Sequence, residues 1–157
     1  MVTGDETHLR QAISLAERAG DGGNRPFGAV IVTAEGATIA EGGNEANSTG
    51  VVTAHAELVA ITAAIEAGHG AELAGATIHA SGEPCPMCSA AVVWAGIPRI
   101  VFAAAEPEFT AVIGGHPRFT LRCAEVVAAG DAAVTVSGPH LGDEALAPFR
   151  RHAAAGR

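Results

Sequence analysis

Two short stretches of this chain carry side chains whose types and spacing can do chemistry: His55-Ala56-Glu57, and Glu83-Pro84-Cys85-Pro86-Met87-Cys88. A histidine nitrogen and two thiolate sulfurs supply the three protein ligands of a catalytic zinc, with the fourth position open to water. A metal held in that way lowers the pKa of its water from the bulk value to roughly 7, which provides a nucleophile at neutral pH. Glu57 stands two positions beyond the histidine and can reach that water without taking a coordination site. Taken singly, each piece has a plainer meaning. A C-x-x-C pair is equally compatible with half a zinc ribbon or a redox pair, and H-x-E is often a solvated helix start. A closed structural site would still need a fourth ligand, and a redox pair leaves His55 and Glu57 without a purpose.

These residues need elements that bring them to one point. Leu9, Ala12, Ile13 and Ala16 form a helical stripe within residues 7–19, stopped by Gly20-Asp21-Gly22-Gly23. Residues 26–32 and the run beginning at 38–40 read as two strands joined by a turn at Glu35-Gly36, the second ending at Gly42-Gly43-Asn44. Thr53 is placed to cap a helix whose Leu58, Ile61, Thr62 and Ile65 share a face, ending near Gly68. A strand at 76–80, a helix at 86–95 with proline in its first turn and a strand at 99–104 make a crossover unit. A helix over 119–129, a strand over 133–137 and a terminal helix over 143–155, kinked at Pro148, complete the pattern. Alternating helices and strands imply a central sheet covered on both faces. His55 then lies in the first turn of one helix while Cys85 and Cys88 bracket the start of another. Two positive helix ends would favour thiolates and a bound hydroxide.

Composition bounds the rest. At 157 residues and 48% hydrophobic, residues 1–157 are expected to form one domain with its own core. The net charge is −8, and the nine basic residues are arginines scattered from Arg10 to Arg157, with one adjacent pair, Arg150 and Arg151. Without a basic track, nucleic acid is not the expected partner. Met1-Val2-Thr3-Gly4-Asp5-Glu6 has neither the basic start nor the apolar run of a signal peptide, and no run reaches transmembrane length, so a cytoplasmic protein with no membrane partner is expected. Cys123 reads as a small buried hydrophobe. His8, His69, His140 and His152 read as solvated, His79 as a core histidine, and His116 stands apart within Gly114-Gly115-His116-Pro117.

Together the two motifs match the H-x-E and P-C-x-x-C signature of zinc deaminases, whose glutamate is acid–base and not a ligand. The chain resembles the cytidine deaminase superfamily, in the branch of bacterial guanine deaminases, tRNA adenosine deaminases and fungal cytosine deaminases. It is most like the guanine deaminases, through Arg25-Pro26-Phe27-Gly28-Ala29-Val30-Ile31-Val32, Glu41-Gly42-Gly43-Asn44, Thr53-Ala54-His55-Ala56-Glu57, residues 83–88 and Trp94-Ala95. The resemblance implies a three-layer α/β/α sandwich around a five-stranded mixed sheet, zinc on His55, Cys85 and Cys88, and Glu57 as proton shuttle. It further implies that Asn44 hydrogen-bonds the substrate ring, that the Ala56 N–H meets a ring oxygen or nitrogen, that Phe27 and Trp94 wall the pocket, and that the His116 segment borders it. The implied reaction is hydrolytic deamination of a free nucleobase or related aminated heterocycle, such as guanine, cytosine, 5-azacytosine or an ammeline-type triazine, by a homodimer. The alternatives are a nucleoside deaminase or an RNA-editing enzyme of the tRNA adenosine deaminase type.

The likeness departs from guanine deaminases at two places. Those enzymes recognise the purine with an aspartate after the fourth strand and close the site with a C-terminal tyrosine. Here the loop reads Gly114-Gly115-His116-Pro117-Arg118-Phe119, and the chain has no tyrosine. The chemistry is untouched, but the substrate preference is expected to broaden.

Overall fold

In the computed structural model, which describes residues 4–156, helix α1 (Asp5–Asp21) buries Leu9, Ala12, Ile13 and Ala16 as their spacing predicts. It starts and ends two residues beyond the predicted 7–19. Asp5, only 3% exposed, is tied to His79 and Arg99 and so extends the first turn. The reading of Met1, Val2 and Thr3 falls outside the described residues.

Strands β1 (Gly28–Val32) and β2 (Thr38–Gly43) pair antiparallel, with Gly28 opposite Gly43. On its other side β1 pairs antiparallel with β3 (Thr77–Gly82), which runs parallel to β4 (Arg99–Ala104), itself parallel to β5 (Thr135–Ser137). The order β2-β1-β3-β4-β5 is a five-stranded mixed sheet. All of β1 is buried, as befits a strand covered on both faces.

Successive strand side chains point to opposite faces, and the two cores divide accordingly. Ile31, Ile78 and Ile100 join α3 (Ala56–Glu66), α4 (Pro86–Ala95) and α6 (Cys123–Ala128) in one core. Val101 and Ala103 join α1, α5 (Glu106–Ile113) and α7 (Asp143–Ala154) in the other. The expected three-layer α/β/α sandwich is therefore present. A single helical turn, α2 (Ala46–Thr49), and a 3-10 turn (Gly70–Gly75) lie in the connections. No described helix is long and apolar enough to cross a membrane.

The helices approach the β1–β2 pair closely because glycines face them. A Cβ on Gly42 would fall 2.3 Å from the Ala56 carbonyl oxygen and 2.7 Å from the Ala60 nitrogen; one on Gly28 would fall 2.2 Å from the Ala12 oxygen. That approach corrects the face assigned to α3: Ala56, Glu57, Ala60, Ile61 and Ala64 are buried, while Ile65 is 55% exposed. Small side chains permit the contact, and Leu58 and Ile65 turn away from it.

Other departures concern the C-terminal half. Helix α5 was not expected, and the helix predicted over 119–129 begins only at Cys123, leaving Phe119 67% exposed. Arg122 is the N-cap of α6, and Glu125 accepts its backbone N–H at 3.0 Å, which fixes the late start. Helix α7 runs through Pro148 as one element, and His152 shares its buried face with Ala145 and Phe149 instead of being solvated. His79 is a core histidine as expected, 2% exposed, with Nε2 2.8 Å from an Asp5 carboxylate oxygen.

Candidate active site

His55 and Cys85 occupy equivalent places on two helices. Each is an N-cap with extended backbone, and each carbonyl accepts the first intrahelical bond, from Val59 N–H at 2.9 Å and from Ser89 N–H at 2.8 Å. Pro86 follows at a position where a missing N–H costs nothing. Cys88 completes that first turn. The helix starts bring His55 Nδ1 to 3.6 Å from Cys85 Sγ and 3.5 Å from Cys88 Sγ, with all three donor atoms within 4.8 Å of one another.

These separations can be tested against a metal. With Zn–S about 2.3 Å, Zn–N about 2.0–2.1 Å and a tetrahedral angle, the N···S edge should measure about 3.6 Å. Both N···S separations thus match the edge of a zinc tetrahedron, and the sulfur-rich set suits that ion. Hydrogen bonding from Cys88 holds the Cys85 thiol down at about 4, and His55 adds to the effect; Cys88, which shares the proton, is pushed up. His55 is raised chiefly by its bond to Cys85, while the nearby Arg25 charge opposes that rise.

Glu57 lies in the first turn of α3 and is 4% exposed. Burial pushes its carboxyl above the ordinary range, so the group holds a proton more readily than a solvated glutamate. Asn44 is 5% exposed; its N–H donates to the Phe27 carbonyl at 3.0 Å and its Oδ1 accepts the Ala46 N–H at 3.1 Å. Its amide NH2 is the group left for a ligand. Phe27 stands edge-on to Phe109 and Phe149, ring centroids 5.1 and 5.3 Å away. Its seat depends on Gly82, where a Cβ would lie 2.8 Å from the ring.

Phe27, Asn44, His55, Glu57, Cys85 and His116 all line one cavity of about 630 Å³. Cys88 is buried behind them. Ala56, also buried, begins α3 between two lining residues, where a backbone N–H has no intrahelical acceptor. Trp94 is not brought into the cavity: on the outer face of α4 it is 89% exposed.

Sequence reasoning assigned no role to several residues around this cavity. The Glu83 carboxylate, 5% exposed as a residue, accepts Arg122 Nε–H at 2.9 Å and the backbone N–H groups of Glu106 and Cys123 at 2.9 and 3.1 Å. It therefore ties the starts of α5 and α6 to the loop that carries Cys85. Glu106 in turn accepts Arg118 Nε–H at 2.6 Å, anchoring the loop that holds His116. Arg25, part of a stretch already notable as Arg25-Pro26-Phe27, lines the cavity as well.

Residues 2–104 match the family model for the cytidine and deoxycytidylate deaminase zinc-binding region. A probable cytosine deaminase of Schizosaccharomyces pombe is 33% identical over 149 residues, 93% of this chain and 90% of that protein. The guanine deaminase of Bacillus subtilis is 46% identical over 117 residues, 73% of this chain and 72% of that protein. A tRNA-specific adenosine deaminase of the same organism is 38% identical over 107 residues, 68% and 66% of the two chains. A solved guanine deaminase from Nitrosomonas europaea superposes with a TM-score of 0.81 at 26% identity, over 95% of this chain and 84% of that one. A further structure, a complex with 2,6-diaminopurine, has a TM-score of 0.84 at 26% identity, over 100% of this chain and 85% of that one.

Proposed function

The chain belongs to the cytidine and deoxycytidylate deaminase family, and from that premise we propose that it hydrolytically removes the amino group of a free nucleobase or closely related aminated heterocycle, releasing ammonia. The observation that carries this reading is the buried Glu57 carboxyl on the wall of a cavity shared with His55 and Cys85. His55, Cys85 and Cys88 would hold zinc. When bound, the ion supplies a Lewis acid that makes water a competent nucleophile at neutral pH.

Glu57 does the proton work. One carboxylate oxygen takes a proton from the attacking water and gives it to the ring nitrogen. The carboxylate then takes the second proton, from the hydroxyl now on the ring carbon, and passes it to the departing amine, so that the carbonyl forms as ammonia leaves. A buried carboxyl with raised proton affinity suits a group that must be base first and acid afterwards. The Asn44 NH2 and the Ala56 N–H would orient the ring, Phe27 would cover one side of it, and His116 would border the far edge. Trp94 drops out of the pocket wall in this assignment. With Met87 on the same helix it offers an exposed apolar surface, and the homodimer remains a proposal that sedimentation can test. One domain spanning residues 1–157 and a cytoplasmic setting belong to the same reading.

The tRNA-specific relative carries a second reading, action on adenosine within RNA. Charge supports the free base instead. Phosphate contacts need several available cationic side chains, whereas Arg10, Arg99, Arg118, Arg122, Arg150 and Arg151 each already pair with a carboxylate. Ammonia release should be measured against free bases, nucleosides and triazines, with a tRNA gel shift alongside. Turnover of bases without an RNA shift in the micromolar range supports the proposal; release confined to RNA overturns it.

A further inference from the structure

Arg25 stands apart from the arginines that have carboxylate partners. It is half-buried on the cavity wall, and none of the salt bridges among the described residues involves it. Of the eight described arginines only Arg18 shares that lack, and Arg18 is exposed on α1, where water serves it. The hydrogen bond that Arg25 makes is from Nη2 to the Gly114 carbonyl at 3.3 Å. The loop then passes directly over the guanidinium. A Cβ on Gly115 would lie 3.1 Å from Nη2 and 3.2 Å from Nη1, and its φ of +136° is one that glycine tolerates best.

The carboxylates on the same cavity wall are otherwise engaged. Glu83 is taken by Arg122 and two backbone N–H groups, and Glu106 by Arg118 and the Thr110 hydroxyl. Glu57 is buried at the proposed reaction centre and forms no ion pair with Arg25 among the described residues. Burial accordingly lowers the Arg25 pKa with no acidic partner raising it. A partly desolvated cation without a counter-charge is costly unless something else provides one. A guanidinium's fork is shaped to receive an oxyanion through two parallel N–H bonds. The cavity has room for more than a bare ring: about 630 Å³ falls within the ~300–1,000 Å³ typical of pockets that enclose drug-sized ligands.

Taking the cavity as a deaminase site, as proposed above, we infer that its preferred substrate is an aminated heterocycle bearing an oxyanion, and that Arg25 is the specificity residue that receives it. The oxyanion is either a carboxylate on the ring or the phosphate of a nucleotide. Each offers a pair of acceptor oxygens that the guanidinium fork can bridge with two parallel N–H bonds.

Matched pairs distinguish the sources: cytosine against 5-carboxycytosine, and cytidine against cytidine 5′-monophosphate, assayed with zinc-replete protein. The anionic member of one pair should be favoured in kcat/KM by about tenfold or more, mainly through KM, and the advantage should shrink as salt is raised. In Arg25→Gln that ratio should collapse towards one, and Arg25→Lys, which keeps the charge but not the fork, should retain part of it. A wild-type ratio near one in both pairs overturns the inference. So does an equal loss for neutral and anionic members in both variants, which would mark Arg25 as a prop for the Gly114 loop. Uracil-5-carboxylate, which has no amine to lose, separates this inference from the deaminase reading. If no substrate releases ammonia, that reading fails, yet calorimetry of uracil-5-carboxylate against uracil still reports on Arg25. Preferential binding of the carboxylate that Arg25→Gln abolishes upholds the oxyanion site; equal binding of the two removes it.

Discussion

The Glu83 carboxylate and the Arg122 guanidinium meet at 2.9 Å although 39 positions separate them, and the acid is 3% exposed at its side chain while the base is 38% exposed. The asymmetry matters. Arg122 can turn to water if its partner is lost, but the Glu106 and Cys123 N–H groups that Glu83 also accepts begin two helices and have no intrahelical acceptors.

Glu83→Ala should therefore destabilise the fold by about 2–4 kcal/mol, mostly through those two unsatisfied donors. Urea unfolding monitored by circular dichroism gives the number. A loss below about 1 kcal/mol would mean that water replaces the carboxylate and that Glu83 is not what ties α5 and α6 to the Cys85 loop.

Gly42→Ala tests whether the approach of α3 to the sheet sets the position of His55. The new methyl group would fall 2.3 Å from the Ala56 oxygen, so α3 must shift and carry His55 and Glu57 with it. Stability should fall by about 1–3 kcal/mol, and zinc affinity should fall too. Gly28→Ala pushes on α1 instead, 2.2 Å from the Ala12 oxygen, and should cost comparable stability while sparing zinc affinity. Equal zinc affinity in both variants would show that the site tolerates movement of α3.

Metal-replete protein should carry about one zinc per chain, because three donors at two helix starts leave one open coordination position. Inductively coupled plasma analysis of wild type against Cys85→Ser/Cys88→Ser measures it. Retention of the metal by the double variant would place the zinc elsewhere.

Residues whose partners lie close in the chain were the ones readable from sequence. His55 with Glu57, and Cys85 with Cys88, are each within one helical turn, so residue type and spacing already mark the groups that the fold brings together; α1 is readable because Leu9, Ala12, Ile13 and Ala16 repeat at the helical period. Periodicity points to the wrong face of α3 because it weights large side chains, whereas the contact with Gly42 selects alanines. Helix α5 escaped notice because it has eight residues, Pro107 in its first turn and only Phe109 buried; its start depends on Glu83, 23 positions earlier. The resemblance implies a pocket role for Trp94, and no local pattern reveals that its side of α4 faces outward.

Glu57→Gln should keep the fold and the zinc while losing about 10²–10⁴-fold in kcat, since the amide has nearly the same shape but cannot relay protons. The amide fills the same buried volume as the carboxyl, so the melting temperature should not fall. A variant that keeps more than about a tenth of wild-type kcat would show that another group carries the proton.

Guanine should not dominate among the neutral bases. The loop over the cavity, Gly114 to Phe119, contains no aspartate, and its His116 imidazole offers at most one acceptor where a carboxylate would offer two oxygens. No tyrosine exists in the chain to close the site, and Phe149 of α7 is fully buried against Phe27 and Phe109, where it cannot reach over a bound ring. Strong discrimination comes from buried polar groups that a wrong substrate leaves unpaired, and that penalty is missing for the purine's far edge. Cytosine, 5-azacytosine and ammeline present the same amidine edge, which Asn44 and the Ala56 N–H would still engage. Steady-state kinetics on guanine, cytosine, cytidine and ammeline should place guanine within about a hundredfold of the best of the others in kcat/KM, a span of about 2.7 kcal/mol in transition-state binding. A larger guanine preference would mean that groups outside this loop read the purine, and His116→Ala would then leave the preference unchanged.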